Sequence, residues 1–512
     1  MTPEPASANQ TQPDPTEAVH APTQRTPPHS PQPRKNKLKT FFRLLLKPFR
    51  QFYEDIRDGD WAVRLSLLFM PAGYFARGQV IKGVLVGIFQ GLLLWSLPAV
   101  FWPYLSKFGT LGTVVRKVEF NIETMTNVEN NYDHSFKILL FSLLAMAVIL
   151  IGIIFYMRSL HGAKKLYDLK RRGKHINTFR EDAREYVNQK FHITLLAMPS
   201  LGVTLLTIIP LLVMILVAFV NYDETHMPPT HLFTWVGTAN FKTIFTSSVT
   251  MTFGYAFSII LVWTLVWAFF ATFTNYYGGI LLAMFINNRK TRLKRMWRSL
   301  FVVAIAVPQF VSLLLVRNFF ANQGVVNTLF SNLGITDALK SIGLVPAGLN
   351  YVPFLTHPTW ARVMIILINM WVGIPYLMLI ATGVLLNIPA DLTESARIDG
   401  ASAFQNFRHI IMPYVRFVTG PYLVTSFVAN INNFNIIYLL TQDVYRTNDQ
   451  LLANSNAKEI DLLVTWLYRL TQQYYNYKMA SVIGILIFLI CAFFTLFAFR
   501  QLIKGDREET FQ

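Results

Sequence analysis

Three observations predict an all-α membrane protein, a polytopic helical bundle of about eight transmembrane helices. Hydrophobic residues fill 53% of the 512 positions and charged residues only 14%, whereas a soluble chain carries about a quarter charged. The apolar residues come in long unbroken runs, several reaching the ~20 residues a helix needs to cross a bilayer core. The Lys and Arg residues gather in short segments beside those runs, as membrane orientation requires. Backbone polar groups in lipid are satisfied only in helices or closed barrels, and continuous rather than alternating runs select helices. The net charge of +18 is explained by those flanking segments, so no nucleic-acid partner is expected. The single cysteine, Cys491, lies in an apolar run, which excludes an intrachain disulfide and suits a buried inert thiol.

Residues 1–36 are rich in Pro, Gln, Thr and Ser and nearly devoid of large apolar side chains. Such a stretch cannot offset its ordering entropy and predicts a disordered cytoplasmic tail; no apolar core follows that would make it a signal peptide. Residues 37–78 form a basic amphipathic or interfacial segment. In 37–57, KLKTFFRLLLKPFRQFYEDIR, basic and apolar residues interleave at helical spacing, which suits a helix lying on an anionic membrane face or, more plainly, a solvated linker. In 61–78, Arg64, Pro71, Gly73 and Arg77 interrupt a short apolar run, favouring an interfacial or re-entrant piece.

The expected spans are 81–103, 137–157, 193–220, 253–286, 298–320, 360–387, 412–437 and 478–500. The first three, with a basic cytoplasmic loop, make an N-terminal region, 79–250; the rest make a core, 251–505. The fourth exceeds one untilted crossing, and Tyr276-Tyr277-Gly278-Gly279 offers a place for a bend. Basic residues crowd 158–192 and 287–298, from Arg158 to Lys190 and from Arg289 to Arg298, and are sparse in 221–250 and 321–359. With eight spans these signs alternate and place both termini in the cytoplasm. The 104–136 loop, with Lys107, Arg116 and Lys117, fits less cleanly. Loops 321–359 and 438–477 are long enough for short helices or lids outside.

Several chemistries are missing from the sequence. There is no GxxxxGK[ST] phosphate loop, no HExxH, no paired CxxC and no GxSxG, so no catalytic residue, metal ligand or cofactor is expected. The apolar cores of the expected spans hold no Asp, Glu or His, groups that proton-coupled carriers use as relays.

Between the sixth and seventh spans lies ESARIDGASAFQNFRHIIMP, Glu394 to Pro413. It predicts a short helix, a turn at Gly400 and a second helix leading to Pro413. Ala396, Ile398, Ala403, Phe404 and Phe407 give it an apolar side, and Glu394, Arg397 and Asp399 supply charge. Such a protrusion suits a groove on a partner, or serves only as an amphipathic connector. The stretch resembles the cytoplasmic EAA loop of permease subunits in binding-protein-dependent ABC importers: Glu394, Ala396, Gly400, Ile410 and Pro413 match in position, while Ser395 replaces an Ala and Met412 a Leu. The resemblance implies a type I importer permease fold. It also implies an ATPase-coupling role for Glu394, Ala396, Asp399, Gly400, Ala401 and Pro413, with Glu394 as charged anchor and Asp399-Gly400-Ala401 as turn.

Further segments narrow the likeness. Asn369-Met-Trp371-Val-Gly373-Ile-Pro375-Tyr376, Ser426-Phe-Val-Ala-Asn430-Ile-Asn-Asn433-Phe and Pro308-Gln-Phe resemble the maltose and maltodextrin permeases, and the short 221–250 loop resembles their Gram-positive members. That implies a substrate site at Asn369, Trp371, Gly373, Tyr376, Ser426, Asn430 and Asn433. An aromatic of the family pattern is replaced by Ala429, which leaves the sugar and its chain length open. Residue chemistry agrees with such a site. Amides in a span are costly unless they pair or face water, and a neutral polyol takes amide hydrogen bonds and an aromatic plane. Interhelical hydrogen bonding recruits Asn too, and Gly373 serves close helix packing as readily as close substrate approach.

The expected system thus has a second related permease subunit, two ATP-binding subunits, an extracellular solute-binding protein and a sugar substrate, in the plasma membrane of a bacterium. The chain itself is not expected to be an enzyme. A secondary carrier for a neutral solute, or a membrane anchor that transports nothing, are the competing readings.

Overall fold

The computed structural model describes residues 37–122, 125–246, 252–288 and 290–508. The expected tail, 1–36, and Arg289 of the second basic loop lie outside the described residues. Contacts divide the chain into two units, one of residues up to Phe89 with Ile153–Phe179, the other of Gln90–Gly152 with everything from Arg180 onward.

In the first unit, α1 (Lys37–Arg57) is one helix despite Pro48. Its Phe52 and Ile56 pack with Val63, Leu160 and Ala163, and Asp55 meets His161 at 2.9 Å. Two short helices follow, α2 (Trp61–Leu65), capped by Asp60, and α3 (Ala72–Phe75). Buried Arg77 joins them by pairing with Asp60 at 2.6 Å and donating to the Gly73 carbonyl.

Among the described residues, seven helices are long and apolar enough to cross a membrane. The first three are α4 (Val80–Leu105), α5 (Ser135–Arg171) and α6 (Phe191–Val217). Between α4 and α5 stands an antiparallel hairpin, β1 (Val118–Asn121) with β2 (Thr126–Glu129), pairing Val118 with Glu129. The basic 158–192 stretch is mostly helical: α5 runs past its apolar part to Arg171, its 37 residues spanning about 55 Å. Lys164 and Asp168 pair one turn apart along it, and Gly173 turns the chain with φ +63°.

The next helix, α7 (Phe253–Asn287), organises the second unit. It is one uninterrupted 35-residue helix, so no break in the helix occurs at Tyr276-Gly279. Those glycines are packing positions instead. A Cβ on Gly278 would lie 2.7 Å from Ile374 Cδ1, and one on Gly279 would lie 2.5 Å from Leu377 Cβ. Small residues let membrane helices approach in this way.

The expected 298–320 span is not one helix. It is two, α8 (Lys294–Ala306) and α9 (Gln309–Phe319), parted at Val307-Pro308. Proline offers no N–H and pushes the residue before it out of the helical region; Val307 accordingly sits at φ −77°, ψ 128°. The remaining long helices are α10 (Pro358–Leu386), the Ala403–Thr441 stretch and the Tyr477–Arg500 stretch. Two clusters are built along α7: one joins its Trp263 and Trp267 to Phe354, Ile365 and Leu440, the other its Tyr276 and Ile280 to Met378 and Val415.

The two long loops carry short helices, Val325–Asn332, Ile335–Ser341, Gln450–Asn454 and Leu463–Gln472. The second is tied by an ion pair: Arg469 reaches both oxygens of the buried Asp461 carboxylate, at 2.8 and 2.9 Å. Asp461 accepts further hydrogen bonds from Thr465 Oγ1 and the Lys458 amide.

Candidate functional site

The amide and aromatic residues singled out in the sequence occupy α10 and the helix that follows the Glu394–Pro413 elbow, and α7 is the surface both are built on. Four of them turn toward α7 and its neighbours. Asn369 is buried and its Nδ2 donates to the Ala271 carbonyl at 3.4 Å. Gly373, one turn on, faces Asn275. Asn430 donates to Thr272 Oγ1 at 2.9 Å, and its own carbonyl accepts from Trp267 Nε1 at 3.0 Å. Asn433 donates to Asn430 Oδ1 at 3.3 Å while its side-chain oxygen caps the next helix, α13 (Phe434–Thr441). The chain breaks at Asn432-Asn433, because an Asn that caps one helix does not continue the previous one. The expected 412–437 span is therefore interrupted there.

The other three face outward. Trp371 and Tyr376 are half exposed, at 53% and 49%. Tyr376 lies 6.4 Å, ring to ring, from Tyr422, and Ser426 follows Tyr422 one turn further along the same helix. The structure thus separates a hydrogen-bonded seam (Asn369, Gly373, Asn430, Asn433) from an accessible face (Trp371, Tyr376, Ser426). They adjoin through Gly373 and Asn430. All these groups are neutral. They can offer aromatic planes and amide hydrogen bonds to an uncharged ligand.

Sequence reasoning passed over Thr272, Asn275 and Tyr422. Asn275 had a visible signal, an amide within an apolar run, the same one that drew attention to Asn369. Thr272 and Tyr422 had none, since a threonine hydroxyl in a helix ordinarily bonds its own backbone and a tyrosine in an apolar run reads as ordinary packing.

The elbow between α10 and the next span is a tightly specified turn. Its first helix, α11 (Ala390–Ile398), ends as the Ala401 amide donates to Ala396 O (2.9 Å) and the Gly400 amide to Arg397 O (3.1 Å). Those two bonds, with Gly400 at φ +80°, are the Schellman ending that favours glycine. Ser402 then opens α12 (403–431) through a capping box: its Oγ accepts from the Gln405 amide at 3.2 Å and its amide donates to Gln405 Oε1 at 2.8 Å. A π-turn, Phe407–Ile411, leads into Met412-Pro413. Of the six residues assigned to coupling, Ala396, Asp399, Gly400 and Ala401 line a 310 Å³ groove in the turn. Glu394 is exposed on α11, and Pro413 is exposed where the span begins. Ile398 and Phe404, 85% and 66% exposed, give the elbow an apolar outer side.

Comparison with known proteins gives these features a family. Residues 275–505 match the binding-protein-dependent transport system inner membrane component family. The chain is 32% identical over 444 residues to the maltodextrin transport system permease protein MdxF of Bacillus subtilis, covering 85% of this chain and 94% of that one. It is 33% identical over 450 residues to the galactooligosaccharides transport system permease protein GanP of the same organism, covering 87% and 99%. To the maltose/maltodextrin transport system permease protein MalF of Escherichia coli it is 33% identical over 274 residues, 53% of this chain and 49% of that one. A bundle of helices long enough to span a membrane, with 85% of its length aligned to a transport permease, belongs to the binding-protein-dependent inner membrane components and is a multi-pass permease subunit of an ABC importer.

Proposed function

We propose that this permease carries neutral oligosaccharides of the maltodextrin type across the plasma membrane. It works by alternating access around the α10–α12 face, driven by ATP hydrolysis in separate subunits. The observation that carries the reading is the neutral aromatic and amide set on that face, with Trp371, Tyr376 and Ser426 accessible and Asn430 and Asn433 beside them. A sugar ring stacks on an aromatic plane and exchanges water for amide hydrogen bonds, with no fixed charge needed. Relatives whose names specify maltodextrin and galactooligosaccharides support an oligosaccharide rather than an ion or a peptide.

The elbow is the coupling element in this reading. Its exposed Ile398 and Phe404 enter a cleft of an ATP-binding subunit, Glu394 anchors it, and the Asp399-Gly400-Ala401 turn passes the movement to α12. Two ATP-binding subunits, a second related permease and an external solute-binding protein complete the assembly. Both termini lie in the cytoplasm, on the side of the basic segments.

The test is uptake of radiolabelled maltotetraose by the complex reconstituted with its solute-binding protein. Trp371→Ala raises KM by about tenfold, the equivalent of ~1.4 kcal/mol for a lost stacking plane. An unchanged KM places the sugar elsewhere. The chain purified without its partners shows no ATP hydrolysis, and hydrolysis by the chain alone would remove the coupling scheme.

A further inference from the structure

We infer that Asn275 is a positioning residue for the sugar site: its carboxamide fills the notch left at Gly373 and sets the stand-off between α7 and the face of α10 that bears Trp371 and Tyr376. The inference rests on the sugar-site reading above and adds to it a residue of the opposite helix.

Geometry makes the case. A Cβ placed on Gly373 would overlap Asn275 Nδ2 and stand 2.6 Å from Cγ and 3.0 Å from Oδ1. The whole carboxamide, not one flexible tip, would have to move, and Asn275 is only 8% exposed. Glycine at 373 is therefore required by Asn275 before any sugar is considered. The contact lies between two others on the same pair of helices. One turn before it, Asn369 Nδ2 donates to the Ala271 carbonyl; one turn after it, Gly279 meets Leu377. The carboxamide is thus the spacer in the middle of the tightest helix contact in the site.

The polarity of that spacer is a second observation. Asn275 Oδ1 is buried without a hydrogen-bond partner, and an orphaned acceptor among apolar helices is costly. An apolar residue of similar size would space the helices without that cost. The carboxamide meets α10 at the half-buried Gly373, Nδ2 nearest and the unpartnered Oδ1 3.0 Å from a Cβ placed there, beside the accessible face. Its amide therefore ties helix spacing to the polar side of the site, and substituting it alters sugar affinity more than turnover.

The experiment uses the reconstituted complex and maltotetraose, with Gly373→Ala, Asn275→Ala and the double variant. Gly373→Ala lowers uptake at least about tenfold, as overpacked cores do. Asn275→Ala raises KM about fivefold and keeps the maximal rate within about twofold, the split expected of lost ground-state binding. The double variant, with the overlap removed, returns to the level of Asn275→Ala. If Gly373→Ala does not assemble, the same rescue is read from the amount of complex recovered and its thermal midpoint. The inference is overturned if the double variant is as poor as Gly373→Ala, or if Asn275→Ala keeps the wild-type KM while Trp371→Ala raises it. Failure of the sugar-site reading itself shows separately, as an unchanged KM in Trp371→Ala.

Discussion

Asn430 shows how one side chain serves two purposes. Its amide donates to Thr272 on α7, its carboxamide oxygen accepts from Asn433, and it borders the accessible face. Interhelical hydrogen bonds in membranes are worth about 0.6 kcal/mol on average. If packing were its whole role, Asn430→Ala would leave the KM for sugar almost unmoved. A lost bond to a sugar hydroxyl, left unpaired in a site, costs about 1–3 kcal/mol. Asn430→Ala is expected to raise KM about tenfold with little change in the amount of complex, and equilibrium dialysis or uptake kinetics would read it. A loss of complex with unchanged KM assigns the residue to packing. That Asn369, Asn430 and Asn433 were worth attention was legible in the sequence, because an amide in an apolar run is conspicuous. Their partners were not. Choosing Thr272 or Ala271 requires knowing which face of α7 meets α10 and α12, and a nearly uniformly apolar helix does not advertise its faces.

At the level of the element, the elbow was readable because everything that shapes it is local: a glycine at the helix end, a Ser-x-x-Gln box three residues apart, a proline at the next start. A Cβ on Gly400 would meet nothing within 4 Å, so its requirement comes from φ +80° alone. A β-branched side chain in that region costs about 1–2 kcal/mol, whereas Asn visits it readily. Gly400→Val is therefore expected to abolish uptake while the protein remains in the membrane, and Gly400→Asn to keep most of it. Equal activity in the two variants would detach the turn from coupling. Pro308 was equally legible as a breaker, yet composition favoured a single span across it. Hydropathy sums over a window and is blind to one missing N–H, which is why α8 and α9 read as one helix.

Across the whole molecule, the family assignment removes the secondary-carrier reading and leaves the long loops between the spans to be explained. Lys458, outside the spans, has its pKa lowered to about 8 by burial and by the nearby Arg469, against the pull of Asp461 and Asp443. Its Nζ donates to the Gln442 carbonyl. Because the folded value lies below the unfolded one, the penalty for burying the charge is fully present below pH 8. It is relieved as pH rises toward the unfolded value, so this group makes the fold more stable between about pH 8 and 10. Lys458→Met is expected to flatten that rise, read as the difference in thermal midpoint between the variant and the wild-type complex over this range. A parallel rise in both would assign it to other groups. This loop network was hidden in the sequence, since Asp461 and Arg469 announce themselves as a buried pair only once the 438–477 segment folds over them.

The elbow's closed hydrogen bonds have a mechanical consequence. With the amides of Gly400, Ala401, Ser402 and Gln405 all bonded across the bend, the joint between α11 and α12 has little give, so under the proposed coupling a push on Ile398 would reach α12 without being absorbed on the way. Any movement passed on by such a joint would then be set by the lengths of the two arms rather than by elasticity between them.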